Sequence, residues 1–182
     1  MDPKRTVYKG KRVCLKRPGV DEIEYSRNLW SDPDTMKEVG GPITLTDQEL
    51  LDWYATKVDP GNESNCYFHI INENKEPIGE VSFRGWNSST REANLNIKIE
   101  SRFRGRGYAS DALRSFLKYC FEDLGTEKLI DDLDPENIGA KQFLEKFGFE
   151  DKSENLDPRT MVLFKKRYFE LAQQVAEGDA TR

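Results

Sequence analysis

The chain has 182 residues, of which 36% are hydrophobic and 34% charged, and its formal net charge is −5 at pH 7. This length suits one domain with a real core, and the acidic balance argues against a general nucleic-acid-binding protein. No stretch approaches the roughly 20 apolar residues of a membrane span, and the charged N-terminus lacks the apolar segment of a secretory signal. Three widely spaced cysteines in apolar surroundings predict reduced thiols in a cytoplasmic protein, with no metal site.

The first hundred residues predict one strand, two helices and then three strands. The run RVCLKRP (12–18) predicts a strand that ends at Pro18 and Gly19, and residues 21–32 and 46–58 predict helices. Thr46 or Asp47 can cap the second helix. Its apolar residues fall on one stripe, and these are Leu50, Leu51, Tyr54 and Val58.

Three β-type runs follow these helices. NCYFHII (65–71) and PIGEVSFRGW (77–86) flank the turn-prone link NENKE and predict a hairpin. EANLNIKIE (92–100) alternates apolar and polar residues, which predicts a half-buried strand. Leu95, Ile97 and Ile99 occupy one face of that strand, and Asn94, Asn96 and Lys98 occupy the other.

From Ala109 the apolar period changes to three and four, which predicts a core-facing helix of about four turns ending at Gly125. KLIDDL (128–133) predicts a strand, and PENIGAKQFLEKF (135–147) predicts a helix with Pro135 near its start and Gly148 just past its end. TMVLFKKRYF (160–169) predicts a last strand that turns helical. We therefore expect a single mixed α/β layered domain over residues 10–170, with a C-terminal tail over 171–182 that is frayed at EGDATR.

The segment ESRFRGRGYASDAL (100–113) predicts an anion site, because it places glycines and arginines where the long helix begins. Backbone N–H groups at a helix N-terminus have no internal partners and carry the positive end of the helix dipole. Gly105 and Gly107 remove side chains that would keep a phosphate from these amides. Arg102, Arg104 and Arg106 add positive charge. A solvated turn is the plainer alternative.

Two other kinds of phosphate site are compared with this segment. A P-loop is excluded because its motif is absent from the chain. A dinucleotide fingerprint is a closer rival, since Gly105-x-Gly107 opens a helix and the next strand ends in Asp131 and Asp132, where a ribose-binding acid would lie. However, Ser110 stands at the third glycine or alanine place, and four residues separate the strand from the first glycine.

The stretch RFRGRGYA resembles the acyl-CoA loop of the GNAT superfamily of N-acetyltransferases, whose pattern is Q/R-x-x-G-x-G/A. Arg102, Gly105 and Gly107 fill the three fixed places. The stretch NIGAKQFLEKFGFE resembles the second motif of that family, and the likeness extends over roughly residues 10–170. The stretch DPEN…LEKFGF is most similar to sequences of the branch that acetylates protein N-terminal amines, including those of ribosomal proteins. A mixed, mostly antiparallel sheet flanked by helices is the fold that the resemblance implies.

The resemblance also implies that the fourth and fifth strands of the family splay apart and hold acetyl-CoA between them. The loop amides would bind the pyrophosphate, the strand ending at Ile99 would pair with the pantetheine arm, and Asn137 would touch that arm from the other side. The residues implied to bind acetyl-CoA are Ile99, Arg102, Phe103, Arg104, Gly105, Arg106, Gly107, Tyr108, Ala109 and Asn137.

The catalytic positions depart from the family pattern. The family's strand glutamate falls here on Asn94 and its motif tyrosine on Leu144, so neither position can move a proton. Glu80 is a replacement base that would face the cleft and act through water, or else a surface carboxylate. His69 is more typical of a packed strand residue, and Asp131 with Asp132 would attract a cationic amine or be solvated. We name Glu80 and Asn94 as the catalytic candidates.

These departures favour an acceptor that loses its proton easily. Neutralising a lysine-like amine at pH 7 costs about 4–5 kcal/mol, against about 1 kcal/mol for an α-amine. We therefore expect an acetyl-CoA-dependent N-acetyltransferase acting on a protein, peptide or small-molecule α-amine. The alternatives are an acyl-CoA-binding module without turnover and a nicotinamide-dependent enzyme. Nucleic-acid and membrane partners are not expected, and a homodimer is one assembly that the sequence leaves open.

Overall fold

The computed structural model describes residues 6–154 and 158–180, and its central element is an eight-stranded sheet. The strands are β1 (Thr6–Lys9), β2 (Val13–Lys16), β3 (Cys66–Asn72), β4 (Pro77–Asn87), β5 (Glu92–Ile99), β6 (Lys128–Leu133), β7 (Glu150–Asp151) and β8 (Arg159–Phe164). The helices are α1 (Glu24–Ser31), α2 (Pro33–Met36), α3 (Asp47–Lys57), α4 (Tyr108–Lys118), α5 (Ile138–Glu145) and α6 (Lys165–Ala180).

The sheet has the order β1-β2-β3-β4-β5-β6-β8-β7 and is mostly antiparallel. Among the described strands, only β5 and β6 pair in parallel. The helix α4 connects these two strands, which is the connection that a parallel neighbour requires. A doubly wound dinucleotide fold needs a largely parallel sheet, so the dinucleotide-binding alternative is wrong.

The two faces of the sheet carry separate apolar clusters. Phe68 on β3 packs in the larger cluster with α4 residues such as Phe116, whereas its neighbour Tyr67 packs with Trp30 of α1 and Leu50 of α3. This follows from the strand period of two, which sends successive side chains to opposite faces. The sheet therefore separates the α4 side from the α1–α3 side.

Most predicted elements are confirmed, and local signals explain why. A capping box between Thr46 and Glu49 starts α3, and α4 continues as a π-helical turn over Tyr119–Asp123 before Gly125, at φ +74°, ends it. The hairpin β3–β4 and the alternating strand β5 are also confirmed. Leu51 is an exception on the predicted stripe of α3, because it is 45% exposed while its stripe neighbours are buried.

Other elements differ from the sequence predictions. β1, β7 and α2 are too short to show a period, and none of them was predicted. α5 starts at Ile138 because Asn137, and not Pro135, caps it. The last predicted strand ends at Phe164, and α6 then runs through Ala180, so the expected tail over 171–182 is largely helix; residues 181–182 lie outside the described part of the chain.

Candidate active site

A gap opens inside the sheet where β5 and β6 diverge. The two strands pair through Glu92–Lys128, Ala93–Leu129 and Asn94–Ile130, and no described pair follows. From Leu95 to Ile99, β5 keeps its pairing with β4 on the other side. β6 likewise stays paired with β8. The gap therefore has an ordered strand on each side, and one β5 edge inside it is free to pair with a ligand.

The glycine loop lies at the open end of this gap, between β5 and α4. Gly105 and Gly107 have φ values of +73° and +81°, which L side chains rarely adopt. A Cβ added at either position would meet no atom within 4 Å, so both face open space. The amides of Tyr108, Ala109 and Ser110 form the first turn of α4, where a helix has no internal acceptor for its N–H groups. This is the geometry that an anionic group requires.

The three loop arginines have different surroundings. Arg102 pairs with Glu100 at 2.6 Å and lies over the ring of Phe103, and Arg106 also lies near that ring. Arg104 departs from the expectation, because its guanidinium donates to the carbonyls of Ile99 and Thr35. The Arg104 amide donates to the Ser101 carbonyl as well. Arg104 thus fastens the loop to α2, and only its charge remains for a phosphate.

The loop is also held from the opposite side by Arg12 and Glu73, which the sequence did not single out. Arg12 donates to the Arg106 carbonyl at 2.7 Å, pairs with Glu73 at 2.8 Å and lies 4.4 Å from the centre of the Tyr108 ring. The buried Tyr108 packs against Phe103, and its hydroxyl also donates to Glu73. These contacts fix the loop backbone before any ligand binds.

Asp111 in the first turn of α4 positions Arg12. Its carboxylate accepts hydrogen bonds from the backbone amides of Lys11, Arg12 and Val13 at 2.7–3.0 Å. Burial opposes ionisation of Asp111, but these three amides outweigh it and lower its pKa. An acid in a first helical turn is a general signal, yet the sequence gives no sign of its distant partners.

The other two predicted binding positions are Ile99 and Asn137. Ile99 is buried at the end of β5. Asn137 caps α5, where its side chain accepts from the Ala140 amide at 3.0 Å and donates to the Glu38 carbonyl. The structure therefore gives Asn137 a capping role and leaves contact with a ligand as a prediction.

Glu80 lies on the α1–α3 side of the sheet and is 2% exposed, so the surface-carboxylate alternative is wrong. One carboxylate oxygen accepts from Trp30 Nε1 at 2.8 Å and the Tyr67 hydroxyl at 2.6 Å. The other accepts from Asn96 Nδ2 at 3.0 Å and Lys98 Nζ at 2.8 Å. Burial acts to raise the pKa of Glu80, but the Lys98 charge and these hydrogen bonds outweigh it and lower the pKa.

His69 continues this polar cluster and is a packed strand residue, as expected. Its Nε2 lies 2.9 Å from the Ser26 hydroxyl, which in turn lies 3.0 Å from the Tyr67 hydroxyl. Burial lowers the pKa of His69 to about 4, so the ring is neutral at pH 7.

Asp131 stands at the gap as the first β6 residue beyond the last β5–β6 pair. It is half-buried. Burial, together with the charge of Asp132, raises the pKa of Asp131 to about 7, against smaller opposing effects of Lys98 and Arg84. The more exposed Asp132 accepts from the Thr160 hydroxyl. The structure thus separates two acids that the sequence left equivalent.

Asn94 and Leu144, the residues on which the sequence places the family's two catalytic positions, have different surroundings. Asn94 is half-buried on β5 and forms the last pair with β6. Leu144 is 1% exposed and belongs to the larger apolar cluster. Asn94 therefore places an amide side chain at the apex of the gap. Leu144 is a core residue.

A cavity of about 390 Å³ lies between α1 and the ends of β4 and β5. Asp32, Glu76 and Glu100 line it together with Arg102, so acids outnumber bases. Within the described ranges, no group of three or more His, Cys, Asp or Glu side chains could hold a metal ion. No helix in this part of the chain is long and apolar enough to cross a membrane.

An open sheet with a glycine loop before a helix defines an acyl-CoA-binding α+β fold, and comparison with known proteins identifies the family. The model of the acetyltransferase (GNAT) domain matches residues 12–150. The chain therefore belongs to the GNAT family, and it is an acetyl-CoA-dependent N-acetyltransferase. The alternative of a binding module without turnover is thereby wrong.

Individual relatives are distant in sequence. The uncharacterized N-acetyltransferase p20 of Bacillus licheniformis is 22% identical over 141 residues, covering 76% of this chain and 79% of that protein. The FsC-acetyl coenzyme A-N(2)-transacetylase of Aspergillus fumigatus is 21% identical over 143 residues, covering 71% and 59%. Spermidine N-acetyltransferase from Vibrio cholerae, solved with CoA and spermine, superposes with a TM-score of 0.78 at 20% identity, covering 86% and 98%.

These comparisons confirm the GNAT superfamily. They do not confirm the branch of protein N-terminal acetyltransferases that the stretch DPEN…LEKFGF favoured. The similar structures include spermidine N-acetyltransferases and do not single out the ribosomal-protein branch. At about 20% identity they show the fold alone, and the acceptor is a separate question.

Proposed function

We propose that this chain binds acetyl-CoA in the gap between β5 and β6 and transfers the acetyl group to a primary amine. The observation that supports this most is the divergence of the two strands after Asn94–Ile130, directly beside the loop of Gly105 and Gly107. In this proposal the first-turn amides of α4 hold the pyrophosphate. The free edge of β5 up to Ile99 pairs with the pantetheine amides as an added strand would.

Two acceptor classes are supported by different observations. An α-amine on a protein, peptide or small molecule suits a site whose two usual proton-transfer positions are Asn94 and Leu144. A polyamine suits the acid-rich cavity lined by Asp32, Glu76 and Glu100, because multiple positive charges are attracted to such a surface. The spermidine N-acetyltransferase of Vibrio cholerae is a structural neighbour with that kind of acceptor.

Isothermal titration with acetyl-CoA tests the binding site. We expect Gly107→Asp to weaken binding about 10- to 100-fold, because it adds a negative charge and loses charge-assisted hydrogen bonds of about 1.5–3 kcal/mol each. Gly125→Asp is the matched control, since Gly125 also has a positive φ, its added Cβ would have no neighbour closer than 3.9 Å, and it lies beyond the other end of the α4 helix. Equal affinities of the two variants would contradict the proposed site.

An acceptor panel tests the amine class. CoA thiol release is measured with α-amino peptides, lysine derivatives and polyamines at several pH values, and the products are identified by mass spectrometry. The α-amine proposal expects the highest kcat/KM with peptides at neutral pH. The polyamine proposal expects spermidine to be preferred, with KM raised by Glu76→Gln in the acid-rich cavity.

A further inference from the structure

Asp131 occupies a special position in the sheet. On one side its backbone pairs with Met161 of β8, and on the other side β5 has already diverged. The first β5 residue beyond the last pair is Leu95, so the two residues begin the opposite walls of the gap. The backbone of Asp131 therefore lies at the apex of the gap in which the proposed function places the thioester.

The surroundings of Asp131 leave its carboxylate available. Its side chain has no hydrogen bond or ion pair with any residue in the described ranges. The charged groups that act on it are Asp132 on its own strand, Lys98 on β5 and Arg84 on β4, and its partner on β8 is the apolar Met161. Lys98 is already engaged by Glu80 and Asn96.

Other acids near the gap are less suited to accept a proton. Glu80 already accepts four hydrogen bonds, one of which is also its ion pair with Lys98, and its pKa is lowered. Glu100 pairs with Arg102 outside the gap. A general base needs a free lone pair and a pKa near the working pH. Asp131 has both, because its carboxylate accepts no hydrogen bond from the described residues and its pKa is raised to about 7.

We propose, resting on the function proposed above, that Asp131 is the catalytic base that takes the proton of the acceptor amine during acetyl transfer. The amine nitrogen forms a bond to the acetyl carbonyl carbon while one N–H proton passes to the Asp131 carboxylate. The C–S bond breaks, and its electron pair leaves with the CoA thiolate, which takes a proton from solvent. Asp131 then returns its proton to solvent, so the reaction yields one amide and one thiol.

The pH dependence of kcat/KM follows because the ionised carboxylate of Asp131 is the form that accepts the proton. With a pKa of about 7, Asp131 is mostly protonated at pH 6 and mostly ionised at pH 8. We expect log kcat/KM for an amine of high pKa to rise steeply up to about pH 7 and less steeply above it, where only deprotonation of the free amine continues. Burial is the larger cause of the raised pKa, and Asp132→Asn removes the second cause, the neighbouring charge, so it shifts the steep rise to lower pH while activity at pH 8 is retained.

Asp131→Asn is the main test, with the isosteric amide chosen to keep the fold. We expect its kcat/KM at pH 8 to fall about 10²- to 10⁴-fold, the range typical of a lost general base, while its Kd for acetyl-CoA stays unchanged by titration calorimetry. Asp131→Glu restores part of the rate. The matched control is Asp134→Asn, because Asp134 is exposed on the following loop and its amide can still accept from the Glu136 backbone.

The outcomes separate this inference from the function on which it rests. Acetyl-CoA binding with full activity and an unchanged pH profile in Asp131→Asn would overturn the role of Asp131 and leave the function intact. Failure of the unaltered chain to bind acetyl-CoA would overturn both. If Asp131→Asn unfolds, as seen by circular dichroism, Asp132→Asn still decides: an unshifted pH profile overturns the proposal, and a shift to lower pH supports it.

Discussion

Glu80 and Asp131 are two carboxyl groups of the same sheet that differ in their partners. Glu80 on β4 is fully buried yet has a lowered pKa, because four donors and the Lys98 charge outweigh its burial. Asp131 on β6 is less buried yet has a raised pKa, because no donor compensates for its burial and Asp132 repels its charge. The comparison teaches that partners, more than depth, decide whether a carboxylate in this fold is structural or reactive.

The partners of Glu80 also join the two sides of the active site. Trp30 lies on α1, Tyr67 on β3, and Lys98 on the β5 wall of the gap. Glu80 thus ties the α1–α3 side of the sheet to the strand that faces the ligand. We propose that Glu80 holds that wall in place, as an alternative to the water-relayed base that the sequence analysis named.

The largest effect on stability is expected from Glu80→Gln. This change leaves the Lys98 charge buried without its partner, and removing one member of a buried pair costs about 3–5 kcal/mol. Urea unfolding at pH 7 measures the loss, and Lys98→Met added to Glu80→Gln should recover part of it. A loss below about 1 kcal/mol would show that the Glu80 cluster is not structural.

Tyr67→Phe should have a smaller effect of the same sign. It removes a 2.6 Å hydrogen bond to an ionised group, and such bonds contribute about 1.5–3 kcal/mol. We expect the free energy of unfolding to fall by about 2 kcal/mol while the Kd for acetyl-CoA changes little. A large change in that Kd with unchanged stability would place Tyr67 at the ligand instead.

Asp131→Asn should change stability with the opposite sign, and the size of the change should depend on pH. The folded pKa of Asp131 is raised above the unfolded value, so the carboxylate disfavours folding above about pH 7 and this cost disappears as pH falls toward 4. A folded pKa of about 7 against an ordinary 3.8 corresponds to about 4 kcal/mol, so we expect the variant to gain up to about 4 kcal/mol at pH 8 and about 1 kcal/mol or less at pH 4.5. Thermal unfolding at both pH values measures it, and a loss at pH 8 would mean that Asp131 has a partner there.

The sequence predicted the strand β5 and the backbone of the glycine loop well, because their signals are local. Alternation in residues 92–100 gave β5, and Gly105 and Gly107 marked positions of positive φ beside a helix start. The catalytic side depends on distant contacts. Trp30 and Glu80 are 50 residues apart, and the charges that act on Asp131 come from β4 and β5 as well as β6. No periodicity or motif in the sequence indicates contacts between residues so far apart in the chain.

The pKa values of Glu80 and Asp131 can be measured directly by NMR titration of the side-chain carboxyl carbons. The variants Glu80→Gln and Asp131→Asn provide the assignments. The account predicts that Asp131 titrates at about pH 7 and that Glu80 stays ionised to below the ordinary glutamate range. Two ordinary titrations near pH 4 would contradict it.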